Sequence, residues 1–315
     1  MSKILITESL HPSGVNLLKC AGHQVVCYER ITPEELRQEI IDTDAIFVRV
    51  VDLPIEILRL GKQLKIISNH GVGVDNIPLD YCREAGIAVT IVRKANSLSV
   101  AEHALALMLA ISKKIIPTAN SYRLIGYRAK NTEPGFELTG KTVGVVGLGQ
   151  IGSHLARILT SAFQVKVLAY DPYLKEVPAG VELTSDLDRM FREADFVSLH
   201  AGLTNDTYHM VNWERLNMMK SSAILINCAR GPLVDEAALI RALENGIISG
   251  AGLDVTEVEP AQQDNPLFSM ENVILTPHFA TATYEAMTQL SLQGAQNILD
   301  VLNGKRPEQI SIIRL

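Results

Sequence analysis

The sequence predicts an α/β protein made of two doubly wound parallel-sheet domains, and three observations predict it. Short, β-branched, apolar runs alternate with helical patterns along the first 95 residues. The same alternation begins again at Thr142 and runs to Pro277. Two long helical segments, one between the series and one after them, mark the joints. Strands alternating with helices at this spacing are the signature of parallel sheets covered by helices. A chain of 315 residues is long enough for two such domains, each with its own core.

In the first series the strand-like runs are KILIT (3–7), QVVCY (24–28), AIFVRV (45–50), LKIIS (64–68) and IAVTIV (87–92). Between them, PEELRQEII follows Thr32, an N-cap with proline at the first helical position. From Ser97, SLSVAEHALALMLAISKKI predicts one long helix with little polar face, which suits burial between domains. A loop over Tyr127–Thr139, containing Pro134 and Gly135, leads into the second series. Its strands are VGVVG (143–147), VKVLAY (165–170), FVSLH (196–200), AILINCA (223–229), AGLDV (251–255) and VILTP (273–277). A last helix follows from Thr283, with Gly304 as its stop signal. A helix in that place is expected to fold back on the first domain. The expected division is therefore residues 1–97 plus 285–315 as a substrate domain, with 98–284 inserted into it.

Composition excludes several classes of function. Hydrophobic residues make up 47% and charged residues 20%, an ordinary globular balance. The net charge of −6 gives no general pull toward nucleic acid or acidic membranes. No apolar run reaches 18 residues, and the N-terminus lacks the apolar core of a signal peptide. The four cysteines (Cys20, Cys27, Cys82, Cys228) have no paired metal or redox spacing, which predicts reduced thiols, no metal and a cytoplasmic protein.

Thr142–Leu159 carries the most specific signal. A buried strand is followed by Gly147-x-Gly149-x-x-Gly152, then by an amphipathic helix that includes Gln150 and Ile151. Gly147 allows the tight turn, Gly149 the approach of a pyrophosphate, and Gly152 the close packing of helix on strand. The free N–H groups and the positive dipole end of that helix favour an anion. Asp171 closes the next apolar run, 19 residues after Gly152, where an acid would take the ribose hydroxyls. A carboxylate there would repel a 2′-phosphate, and Pro172-Tyr173 offers no arginine to welcome one, so NAD is expected rather than NADP. The second domain is thus expected to be Rossmann-type, and the first flavodoxin-like.

In an open α/β sheet, ligands bind beyond the carboxyl ends of the strands. In the second half those positions hold Asp171, His200, Arg230, Asp254 with Glu259, and His278. A histidine titrates near neutral pH and suits proton transfer. Glu259 beside it would favour the charged imidazole and fix the ring's orientation. Arg230, ahead of Gly231-Pro232, could grip a substrate carboxylate bidentately. In the first half, Gly71-Val72-Gly73 follows a strand. Its N–H groups suit a small anion nest, and the letters fit a turn that needs glycine for positive φ equally well.

The segments GVGVDNIPLD, ANSLSVAEHALALMLA, GLGQIG, NCARGPLVDEAALIRALENGIISGAGLDVTEVEP and VILTPH, in that order, resemble the D-isomer-specific 2-hydroxyacid dehydrogenase family, and most its phosphoglycerate dehydrogenase branch. The resemblance implies that Arg230, Glu259 and His278 form the catalytic trio. It implies that Gln150 and Ile151 meet the pyrophosphate, and that Pro172, His200, Ala201, Thr207, Cys228, Ala229, Arg230, Asp254, His278 and Ala280 line the rest of the cofactor. The substrate is expected at Arg49, His70, Val72, Gly73 and Arg230. Departures from the family pattern are Ile-Val-Arg-Lys at 91–94, Gly202-Leu203-Thr204 after His200, Thr281 where a small residue is common, and Asn69 where the phosphoglycerate branch often has arginine. Arg49, His70, Arg93 and Lys94 together suggest a substrate with a second anionic or polar group. An NAD(H)-sensing corepressor-like protein and a formate- or phosphite-type dehydrogenase are the alternatives on the same scaffold. The apolar surface of Val100–Ile116 suggests a homodimer. With the sequence ending at Leu315, no appended regulatory domain is expected.

Overall fold

A computed structural model describes residues 1–131 and 134–307. The chain divides into two compact units, Met1–Asn96 together with the chain from Ala282, and Ser97–Thr281. Residues 132 and 133 of the expected loop and 308–315 of the expected substrate domain lie outside the described residues.

In the first unit the chain runs β1 (Lys3–Ile6), α1 (Pro12–Cys20), β2 (Gln24–Cys27), α2 (Pro33–Glu39), β3 (Ala45–Val48), α3 (Ile55–Leu58), β4 (Ile66–Asn69), α4 (Leu79–Glu84) and β5 (Ala88–Thr90). The five strands are parallel, in the order β2-β1-β3-β4-β5, the doubly wound flavodoxin-type order. Side chains alternate between the faces, and each face has its own core. Ile4, Ile6, Ala45, Phe47 and Ile66 meet Leu18 of α1 and Ala295, Ile298 and Leu299 from the C-terminal helix. Leu5, Ile46, Val48, Ile67 and Val89 meet Leu36, Ile57, Leu58 and Cys82 on the other side. Strands buried on both faces read as continuous apolar runs, which is why they were visible in the sequence.

The second unit runs α5 (Ser97–Ser112), α6 (Ile115–Ile125), β6 (Thr142–Val146), α7 (Gln150–Ala162), β7 (Lys166–Tyr170), β8 (Val181–Leu183), α8 (Leu187–Glu193), β9 (Phe196–Leu199), α9 (Trp213–Met218), β10 (Ile224–Asn227), α10 (Glu236–Glu244), β11 (Gly250–Leu253) and β12 (Val273–Leu275). The chain then enters α11 (Tyr284–Leu302) of the first unit. The seven strands are parallel, in the order β12-β11-β10-β9-β6-β7-β8. That is the Rossmann order, extended by one strand. One face is covered by α5 and α7 through Val100, Ala104, Leu107, Leu155 and Leu159, the other by α8 to α10 through Met190, Phe191, Leu216, Leu239 and Leu243.

The single helix expected over Ser97–Ile115 is two helices. Phe136 N–H donates to the Ser112 carbonyl at 2.8 Å, taking the acceptor that would have continued α5. Lys114 then adopts a left-handed conformation, φ 49°, and α6 starts. The apolar surface also lies elsewhere than expected: Val100, Ala101, Ala104, Leu107 and Met108 are buried within their own unit. Exposed apolar side chains gather instead on and beside α6, at Ile115, Ile116, Tyr122, Leu124, Ile125 and Tyr127. The short edge strand β8 has no apolar run to announce it.

Candidate active site

Because all seven strands of the second unit are parallel, their carboxyl ends share one edge of the sheet, and strand order fixes the order of the loops. Along that edge stand His278 after β12, Asp254 and Glu259 after β11, Arg230 after β10, His200 after β9, the glycine turn after β6 and Asp171 after β7. The direction of winding reverses between β9 and β6, the switch point where such sheets bind ligands.

The glycine turn is sterically exacting. Gly147 has φ 87°, and a Cβ there would lie 2.7 Å from Ala201 N. A Cβ on Gly152 would lie 2.1 Å from the Gly147 carbonyl oxygen, so α7 reaches its strand only without one. Gly149, by contrast, faces open space and serves as the N-cap of α7 with no side-chain hydrogen bond. The first turn of α7, at Gln150 and Ile151, therefore presents N–H groups with no side-chain cap. Asp171 braces the same turn: Oδ2 accepts from Leu148 N–H and Oδ1 from Tyr173 N–H, both at 3.0 Å. Each oxygen keeps a lone pair for a further donor.

His278 sits on an exacting backbone too, at φ 51°. Its Nδ1 lies 3.0 Å from Glu259 Oε2. A carboxylate only accepts, so Nδ1 carries the proton and Nε2 is left to exchange one. The loop around it is anchored by Asp254, which is 1% exposed. Asp254 Oδ1 accepts from Phe279 N–H at 2.7 Å and from the Thr276 hydroxyl at 2.6 Å, and Oδ2 from Ala280 N–H at 2.9 Å. His278 N–H donates to the Asp254 carbonyl at 2.8 Å. Helix α5 adds the Ser99 hydroxyl, which donates to the Ala280 carbonyl, and His103, whose Nε2 is 3.1 Å from Thr276 Oγ1.

Arg230 lies at the mouth of β10. Buried Asn227 shapes that turn, donating to the Arg230 carbonyl and accepting from Ala229 N–H. The Arg230 guanidinium donates to the Ala229 carbonyl at 2.7 Å. A Cβ on Gly231 would lie 1.8 Å from the Thr256 oxygen, so the arginine's turn is pressed onto the segment that leads to Glu259. That segment is tied further by Glu257, paired with His209 at 2.7 Å and accepting from Glu236 N–H.

Other expected cofactor residues have local duties. The His200 imidazole shares a hydrogen bond with Ser198, and its enclosed Nδ1 has no partner. Burial pulls the pKa of His200 down to about 4, so it is neutral at pH 7. Thr207 closes its own loop onto Gly202 and Thr204. Cys228 is buried, and burial followed by the charge of Asp254 pushes its thiol pKa up, as suits a packing residue.

The first unit gathers its own candidates at the carboxyl ends of β3 and β4. His70 is 8% exposed, lies 5.8 Å from the Phe47 ring, and has an unpartnered Nε2. Burial first, then the charge of Arg49, lowers its pKa to about 4. Asn69 donates to the Gly73 carbonyl and so braces the 71–73 turn. Gly71 and Gly73 are not among the glycines with positive φ, so that turn does not need glycine for a left-handed backbone. Val72 is half exposed at its tip. Glu8 had no role in the sequence reading, yet one of its oxygens accepts from Arg49, Val50 and Val51 N–H. Ser99, His103 and Thr276 were also missed as site residues, because their partners are far away in sequence. Among the described residues no group of histidines, cysteines and acids has the geometry of a metal site, and no helix is long and apolar enough to cross a membrane.

An uncapped helix N-terminus, a glycine turn that rejects side chains and an acid on the neighbouring strand fit a dinucleotide, so the second unit defines a dinucleotide-binding α/β protein. Residues 105–280 match the family model for the NAD-binding domain of D-isomer-specific 2-hydroxyacid dehydrogenases. The chain is 41% identical over 98% of its length to a D-3-phosphoglycerate dehydrogenase of Methanocaldococcus jannaschii, of which it spans 59%. It is 39% identical to a glyoxylate reductase of Thermofilum pendens, over 97% of this chain and 93% of that one. It superposes on a D-lactate dehydrogenase of Aquifex aeolicus solved with NAD and lactic acid, at a TM-score of 0.88 and 31% identity, covering 99% of both chains. The chain belongs to the D-isomer-specific 2-hydroxyacid dehydrogenase family, a family of oxidoreductases acting on CH–OH donors, and its cofactor is a nicotinamide dinucleotide.

Proposed function

We propose that this protein is an NAD-dependent dehydrogenase that interconverts a D-2-hydroxy acid and its 2-oxo acid, with the second unit as its cofactor domain and the first as its substrate domain. The observation that carries the reading is the 3.0 Å contact of His278 Nδ1 with Glu259 Oε2, at the same sheet edge as the glycine turn. The N–H groups at Gln150 and Ile151 would hold the pyrophosphate, and Asp171 the ribose hydroxyls. The nicotinamide, when bound, supplies or accepts the hydride. The chain's own residues do the rest. In reduction, His278 gives its Nε2 proton to the 2-oxo oxygen, while Glu259 stabilises the imidazolium that made the gift possible. Arg230 binds the carboxylate and the charge that develops on the neighbouring oxygen. In oxidation, neutral His278 takes the hydroxyl proton at Nε2.

NAD is preferred to NADP because Asp171 brings a carboxylate to the ribose position and Pro172-Tyr173 brings no cation. Arg49, His70, Val72 and Gly73 are the proposed substrate determinants, and the charge of Arg49 favours a substrate with a second anionic group, as the name of the phosphoglycerate relative suggests. The deciding experiment measures oxidation of NADH and NADPH with 2-oxo acids that do and do not carry such a group. We expect NADH turnover, the highest kcat/KM for the doubly anionic acids, and a fall of about 100-fold or more in kcat for His278→Asn. Tight NADH binding with no turnover of any 2-oxo acid would make the protein a sensor instead.

We further infer a cytoplasmic homodimer, supported by the free cysteines and by the exposed apolar side chains of α6, none of which is buried within its unit. Sedimentation should give twice the chain mass, and Leu124→Glu should weaken that association. A monomer at micromolar concentration would refute it.

A further inference from the structure

Resting on the reading of His278 above, we propose that His103 is a positioning residue for the reaction, acting from α5 through Thr276 and Asp254 on the loop that presents His278. Ser99 and His103 are four residues apart on α5 and so share one face of the helix. That face meets the loop on both sides of His278: Ser99 Oγ donates to the Ala280 carbonyl at 2.6 Å, and His103 Nε2 lies 3.1 Å from Thr276 Oγ1. The ring also stands 3.5 Å from Asp254 Oδ1.

The proton inventory fixes the direction of this chain. Thr276 has one hydroxyl proton, and its shortest contact is the 2.6 Å bond to Asp254 Oδ1, an oxygen that only accepts. The threonine oxygen therefore accepts from His103, so Nε2 of His103 carries a proton. Asp254 in turn receives Phe279 and Ala280 N–H, and its carbonyl receives His278 N–H. His103, Thr276 and Asp254 thus hold a backbone whose central residue has φ 51°, a conformation an L side chain rarely adopts unaided. Without the His103 donor, the Thr276 oxygen loses its bond from the helix, which leaves the Ser99 bond to tie the loop to α5. His103 touches no proposed reacting atom; it sets where the His278 imidazole points.

The test compares wild type, His278→Asn, His103→Phe, which keeps a ring without the donor, and His103→Gln, which keeps an N–H at a similar reach. With a 2-oxo acid that the wild type reduces, His103→Phe should lose about 10- to 100-fold in kcat. KM and the Kd for NADH should stay within about twofold, and His103→Gln should recover most of kcat. Independently of turnover, the His278 ring nitrogens, assigned by their absence in His278→Asn, should give sharp ¹⁵N resonances in wild type and His103→Gln. They should be shifted or broadened in His103→Phe. An unchanged kcat and an unchanged His278 spectrum in His103→Phe would overturn the proposal, and so would an equal loss in both His103 variants. If His103→Phe does not fold, Thr276→Val cuts the same chain, and its kcat or His278 spectrum remaining as in wild type would overturn it too. Full activity in His278→Asn would instead refute the role of His278, leaving the spectra to decide whether His103 sets the loop.

Discussion

Glu8 concentrates three backbone donors on one atom. Its Oε2 accepts from Arg49, Val50 and Val51 N–H at 3.0, 2.8 and 3.2 Å, so a turn that could have held a ligand anion is filled by the protein's own carboxylate. The effect is to set the backbone from which Arg49 projects. Replacing Glu8 by alanine leaves those donors to water or to nothing, at a cost of about 2 kcal/mol, whereas glutamine keeps an acceptor oxygen and costs less. Urea denaturation should rank wild type above Glu8→Gln and Glu8→Ala last. Equal losses in the two variants would mean that the side chain's packing, not its acceptor, holds the turn. No feature of ITESL announces this role, because the partners lie 41 to 43 residues downstream. His278 and Glu259 were legible for the opposite reason: each sits in a motif at a strand end, and their residue types limit the chemistry they can do.

At the scale of elements, legibility followed how local the cause is. The start of α2 was readable because its whole mechanism lies within four residues: the Thr32 hydroxyl accepts from Glu35 N–H, and the Glu35 carboxylate accepts from Thr32 N–H. The end of α5 was not, because Phe136, 24 residues later, takes the Ser112 carbonyl. Helix α11 shows a third case, in which a small residue records a distant neighbour. A Cβ on Gly294 would lie 2.3 Å from the Phe47 ring, and the Gly294 carbonyl accepts from the buried Ser68 hydroxyl at 3.0 Å. The helix therefore lies on β3 and β4 at glycine distance, against the fully buried Phe47 ring. Gly294→Ala raises helix propensity, which alone would stabilise by about 1 kcal/mol, but overpacking against the ring costs about 1–3 kcal/mol or more. We expect net destabilisation of Gly294→Ala in thermal unfolding, relieved when Phe47→Leu is added. A more stable Gly294→Ala protein would show that the helix shifts freely on its sheet.

Across the whole molecule, each unit holds a histidine with an enclosed, unpartnered ring nitrogen, which the sequence could not mark because it depends on which strands end beside it. His70 lies in the first unit and His200 in the second, and burial lowers both to about 4 from an ordinary 6.5. Well above pH 6.5 neither the folded nor the unfolded chain protonates these rings, and they do not bear on stability. Between 6.5 and 4 the unfolded chain binds protons that the folded one refuses, so stability falls as the pH falls through this window. Each ring withdraws up to roughly 3 kcal/mol by pH 4. This is large against the 5–15 kcal/mol that typically holds a domain together. The two rings stand at strand ends in different units, so neither unit is spared. The urea midpoint should therefore drop clearly between pH 7.5 and pH 5. His70→Asn should flatten part of that dependence by removing one of the two groups, whatever it costs at neutral pH. A midpoint that does not move between these pH values would mean that the two rings reach water, or a partner, in their charged form.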